Sequence, residues 1–116
     1  MKKILVVDDD DAIRMLIEME LKDEGYQVIT ASNAKDALKL VETEPLDLVI
    51  LDIRMPGMDG LEALPRILGI KEGLKVILNT AYSQYQESFM SWAADAYLIK
   101  SADLTELKTK VKELLA

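Results

Sequence analysis

The sequence predicts an α/β fold, a (βα)5 chain doubly wound around one parallel sheet of five strands. Apolar runs of strand length recur at 4–7, 28–29, 48–51, 76–78 and 97–99. Those at 4–7, 48–51 and 76–78 are almost wholly apolar rather than alternating, as strands covered on both faces are. Between the runs the apolar period becomes helical, which calls for right-handed crossovers and helices on both faces of the sheet.

The elements follow in order. After the first run, Ile13, Leu16, Ile17 and Leu21 make one helical stripe, ended by Gly25. Ala34, Ala37, Leu38 and Val41 make a second, opened by an Asn33 cap and stopped before Pro45. Leu61, Leu64 and Leu68 predict a third helix, short or kinked because Pro65 lies inside it and lacks an N–H. Tyr85, Phe89, Trp92 and Ala93 predict a fourth, with the three aromatic rings read as core or partner surface. Leu104, Leu107, Val111 and Leu114 give the fifth, with Asp103 and Glu106 spaced as a capping box. No linker, repeat or low-complexity stretch divides residues 1–116, which read as one domain.

Composition narrows the chemistry. The 116 residues include no Cys and no His, which excludes thiol nucleophiles, Cys/His zinc sites and histidine acid–base catalysis. A net charge of −7 disfavours a sequence-independent grip on nucleic acid or an anionic membrane, since both require clustered Lys and Arg. Apolar runs of about four residues fall far short of the roughly 20 that a spanning helix needs. The opening turns acidic at Asp8 before a signal-peptide core can form, so the expected location is cytoplasmic.

In an open α/β sheet, ligands bind beyond the carboxyl ends of the strands. Asp8-Asp9-Asp10-Asp11 follows the first run, Asp52 the third, Asn79-Thr80 the fourth and Lys100 the fifth. If these ends converge, Asp8, Asp9, Asp52 and Lys100 leave two uncompensated negative charges, which one divalent cation cancels. Oxygen-only donors at a rim open to water suit Mg²⁺. Carboxylates, a cation, a hydroxyl and an ammonium together match phosphoryl transfer, with Asp52 as nucleophile. Asp10 or Asp11 reads instead as a helix cap.

These residues resemble the receiver domains of two-component response regulators, over essentially the whole chain. The likeness lies in Ile4-Leu5-Val6-Val7-Asp8-Asp9, Leu51-Asp52-Ile53-Arg54-Met55-Pro56-Gly57-Met58-Asp59-Gly60, Thr80-Ala81 and Tyr97-Leu98-Ile99-Lys100. The resemblance implies a flavodoxin-like strand order of 2-1-3-4-5 and phosphorylation of Asp52 by a histidine kinase or histidine phosphotransfer protein. It implies a Mg²⁺ site made by Asp8, Asp9, Asp52 and the backbone carbonyl of Arg54. Lys100 and Thr80 would contact phosphoryl oxygens, Thr80 and Tyr97 would form the switch, and Arg54 and Tyr82 would tune dephosphorylation. Its product is a signal rather than a turned-over substrate: the chemistry stops at self-catalysed phosphotransfer and slow autodephosphorylation. The output surface would be the fourth helix, fifth strand and fifth helix, read by a downstream protein or fused output domain.

One departure concerns the loop after Lys100. The family usually places a cis proline there and then an aromatic, whereas this chain has Ser101 and Ala102. A cis bond before a non-proline residue costs about 3 kcal/mol, so a trans bond is expected. Two other readings compete: a phosphorylation-independent receiver that only binds protein, and a haloacid-dehalogenase-like phosphatase using Asp8 and Asp10. The second leaves the motif around Asp52 unexplained and has Asp11 where Thr or Val is usual.

Overall fold

The computed structural model describes residues 1–86 and 89–116. The apolar runs form β1 (Lys3–Val7), β2 (Gln27–Ala31), β3 (Leu48–Leu51), β4 (Lys75–Thr80) and β5 (Ala96–Ile99). They build one five-stranded parallel sheet in the order β2-β1-β3-β4-β5, as expected. Among the described residues four α-helices connect or follow them: α1 (Asp11–Asp23), α2 (Ala34–Thr43), α3 (Gly60–Ile70) and α4 (Thr105–Leu114). The crossover from β4 to β5 carries a 3₁₀ helix at Phe89–Ala93.

The sheet is buried on both faces, which explains the unbroken apolar runs. On one face Ile4, Val6, Leu48, Ile50 and Ile77 pack against Ile17 and Leu21 of α1 and Leu107 and Val111 of α4. On the other, Leu5, Val7, Val49, Leu51, Val76 and Leu78 meet Ala37 and Val41 of α2 and Ala63, Leu64 and Ile67 of α3. Burying each large aliphatic side chain contributes roughly 1.5–3 kcal/mol.

The helix ends follow their cap residues. Asp10 accepts N–H bonds from Ala12 and Ile13, Asn33 accepts from Asp36, and Asp59 accepts from Glu62. The last helix corrects the sequence reading. Leu104 occupies its N-cap with no side-chain cap bond, and Asp103 instead accepts from the N–H and hydroxyl of Thr105. Asp103 therefore stands one position too early for a capping box.

Helix three buries a different stripe from the one expected, and helix four corrects the sequence reading outright. α3 runs through Pro65 for 11 residues, with Pro65 exposed on its outer side. Its buried stripe is Gly60, Ala63, Leu64 and Ile67, while Leu61 and Leu68 are only partly buried. Glu62, Pro65, Arg66 and Gly69 make its exposed side, and the expected leucine stripe lies along one flank of the buried one. The expected fourth helix is a turn through Tyr85 and the 3₁₀ helix, its middle at 87–88 and the side chain of Phe89 lying outside the described residues. Trp92 is 70% exposed, so it is surface rather than core.

Candidate functional site

Strand register builds the site. Val7 pairs with Leu51 across β1 and β3, so the next residues, Asp8 and Asp52, leave neighbouring strands at the same level. The Asp52 N–H donates to the Val7 carbonyl at 3.0 Å, and the Asp8 N–H to Ala31 at 3.2 Å. Both aspartates are almost fully buried, whereas Asp9 is exposed. Carboxylate oxygens of Asp8, Asp9 and Asp52 lie within 4.8 Å of one another.

Lys100 enters from the end of β5. Its Nζ lies 2.8 Å from Asp8 Oδ2 and 2.9 Å from Asp52 Oδ2. There is no cis peptide bond among the described residues, so the Lys100–Ser101 bond is trans, as expected, and Lys100 still reaches both carboxylates. Asp8 Oδ1 accepts the Asp10 N–H at 2.9 Å. Asp10 itself caps α1, so the phosphatase reading loses its second aspartate.

Charge and burial oppose each other here. Burial is the largest influence on Asp52 and raises its carboxyl above the ordinary 3.8; Asp8 adds to the rise, while Lys100 opposes it. For Lys100, burial would lower the ammonium, but hydrogen bonds to Asp8 and Asp52 outweigh it and the net direction is up. One ammonium thus leaves an excess of negative charge in a cluster of oxygen donors, one of them open to water. That donor set fits a hard divalent cation such as Mg²⁺ and suits neither thiophilic nor imidazole-bound metals.

The other sequence-predicted residues lie along the same edge. Thr80, the last residue of β4, is fully buried and its hydroxyl oxygen accepts the Tyr82 N–H at 3.3 Å. The Tyr97 hydroxyl donates to the Tyr82 backbone carbonyl. Arg54, in the loop after Asp52, lies with its guanidinium carbon 5.0 Å from the centroid of the Tyr82 ring and donates to the Tyr85 hydroxyl at 3.1 Å. The rings of Tyr82 and Tyr85 meet edge to face at 6.4 Å, and Ser91 Oγ donates to the Tyr85 carbonyl. An apolar cleft of about 340 Å³ borders Lys100, lined by Ala12, Ile13, Leu16, Ile17 and Ala102 among others.

Three residues here were not assigned to the site from the sequence. Tyr85 holds Arg54 across 31 positions, a contact with no local signal. Arg14 donates to the Asp8 carbonyl and the Asp11 carboxylate; its i,i+3 spacing from Asp11 was the available clue. Gly60 lies under the site: its N–H bonds the Ile53 carbonyl, and a Cβ there would overlap the backbone carbonyl of Asp52.

Comparisons with known proteins agree with this geometry. The family model of the response regulator receiver domain matches residues 4–112. Sporulation initiation phosphotransferase F of Bacillus subtilis is 42% identical, over 98% of this chain and 94% of its own length. The alkaline phosphatase synthesis transcriptional regulatory protein PhoP of the same organism is 37% identical over 98% of this chain, which spans about half (48%) of it. Among solved structures, the response regulator TrrA of Thermotoga maritima in complex with Mg²⁺-BeF has a TM-score of 0.95 and 53% identity, covering 98% of this chain and 99% of that one. TrrA bound to the histidine kinase ThkA matches with a TM-score of 0.93 and 52% identity, covering all of both chains. No helix among the described residues is long and apolar enough to cross a membrane.

Proposed function

The chain belongs to the response regulator receiver domains, a family of signalling modules, and we propose that it takes a phosphoryl group from a phosphohistidine onto the Asp52 carboxylate. The observation that carries this reading is the meeting of Asp8, Asp9 and Asp52 on one rim with Lys100 bridging two of them. One domain spanning 1–116 suffices for it.

In the transfer, an Asp52 carboxylate oxygen bonds to phosphorus as the phosphorus–nitrogen bond of the donor breaks, and the imidazole keeps that electron pair. Lys100 is already within 2.9 Å of Asp52, so its ammonium passes from carboxylate to phosphoryl oxygens with little movement. The Thr80 hydroxyl, engaged among the described residues by a 3.3 Å bond from the Tyr82 N–H, can turn toward the new dianion. A magnesium ion held by Asp8, Asp9, Asp52 and the Arg54 carbonyl supplies, when bound, the positive charge that lets an anionic donor approach a carboxylate.

The signal follows from the same contacts. Movement of Thr80 disturbs Tyr82, whose carbonyl anchors the Tyr97 hydroxyl, and so reaches the surface made by the 3₁₀ helix, β5 and α4. Exposed Trp92 and Ile99 give that surface apolar contact for a downstream protein or fused output domain. Arg54 and Tyr82, stacked beside the site, tune loss of the phosphoryl group to water. The domain's own chemistry ends with phosphotransfer and this slow hydrolysis. A histidine kinase or phosphotransfer protein is the donor, a reading supported by the similar protein TrrA having been solved in complex with the histidine kinase ThkA; on the same reading the exchange takes place in the cytoplasm.

Intact-mass measurement after incubation with Mg²⁺ and a small phosphodonor tests the reading. Wild type gains one phosphoryl mass and Asp52→Asn gains none; equal labelling of both overturns the assignment of Asp52.

A further inference from the structure

Arg14 takes no part in the scheme above, yet it reaches the loop that carries two of the three clustered carboxylates. Its Nη1 donates to the Asp8 backbone carbonyl at 2.8 Å, and its Nη2 pairs with the Asp11 carboxylate. These two acceptors bracket Asp9 and Asp10, and the Arg14 side chain is only 17% exposed. Within the bracket, Asp8 Oδ1 takes the Asp10 N–H while Asp10 caps α1. Four consecutive aspartates repel one another, and a loop free to relax would spread them. A planar guanidinium fork fixes two acceptors in one geometry, which a point-charge ammonium does not.

Building on the reading of Asp8, Asp9 and Asp52 as a cation site, we propose that Arg14 is its positioning residue, holding the β1–α1 loop so that Asp8 and Asp9 are set before the ion arrives. Arg14 acts on an incoming cation in two opposed ways. Its charge repels the ion; its fork pre-organises the donors. The sign of the effect on substitution therefore decides between them.

Titration calorimetry with Mg²⁺ alone on wild type, Arg14→Lys and Arg14→Gln measures that sign. Arg14→Lys keeps the charge and loses the fork, and its affinity falls roughly tenfold, the low end of what a metal site loses with an outer partner. Arg14→Gln falls as well, despite the lost positive charge. Wild-type affinity in Arg14→Lys, or tighter binding by Arg14→Gln, overturns the proposal and makes Arg14 a mere neighbouring charge. Amide hydrogen exchange on the metal-free proteins gives a second reading: residues 9–11 exchange faster in both variants, while β1 and β3 stay protected. Unchanged exchange at 9–11 also overturns it. Should wild type bind no Mg²⁺, the carboxylate-site reading fails, and the clamp is judged by exchange alone.

Discussion

Two cations stand at the same rim and are held in opposite ways. Lys100 sits between two aspartates whose side chains are 3% and 4% exposed, and hydrogen bonds fix it there. Arg54 lies in solvent, resting on the Tyr82 ring and the Tyr85 hydroxyl. The carboxylate side is therefore set by strand ends locked in a sheet, while the tyrosine side is set by ring contacts that water weakens. Chemistry that needs fixed charge belongs to the first; contacts that must change with phosphorylation belong to the second.

Lys100→Met attacks the fixed side most directly. It strands two buried carboxylates, and the expected loss is about 3 kcal/mol, read from urea denaturation without divalent ions. A loss no larger than a surface substitution gives would erase the contrast. Gly60→Ala comes next. Its methyl meets the Asp52 backbone carbonyl, and overpacking of this kind costs about 2 kcal/mol in the same experiment. Wild-type stability there would mean the α3 start yields freely.

Asp52→Asn acts in the other direction. Because Asp52 is raised above 3.8 in the fold, its contribution to stability is complete below that value and is lost as pH rises through the folded pKa. At neutral pH without divalent ions the ionised group is therefore a burden, and the asparagine variant melts higher by roughly 2–6 °C. The advantage shrinks as pH falls toward 3.8 and Asp52 takes up its proton. Equal melting curves at neutral pH would show that Lys100 fully compensates it. Smallest is Arg54→Ala: the melting temperature stays put, while the near-UV circular dichroism of the tyrosines changes. A large stability loss would move Arg54 to the fixed side.

The same contrast explains what the sequence revealed. Asp8, Asp9, Asp52, Thr80 and Lys100 were legible because a parallel sheet delivers all its carboxyl ends to one edge, so position after an apolar run already places a side chain. Caps at Asn33 and Asp10 were legible because they act within three residues. The crossover after β4 was not. Tyr85, Phe89, Trp92 and Ala93 have helical spacing, but Trp92 faces water, and serines at 83, 88 and 91 are weak helix formers. Tyr85 packs partly buried against the core, as its aromatic ring suggested, but its contact with Arg54 is tertiary and has no local signal. Asp103 missed the cap by one residue because Leu104 buries its side chain from the cap position itself.

The pairing of Val7 with Leu51 has a last consequence. Sliding β1 past β3 by one residue would turn Asp8 to the opposite side of the sheet from its present companions. A misaligned chain could keep every strand and still own no ion trap, so affinity for a divalent ion reports whether these two strands zipped together correctly.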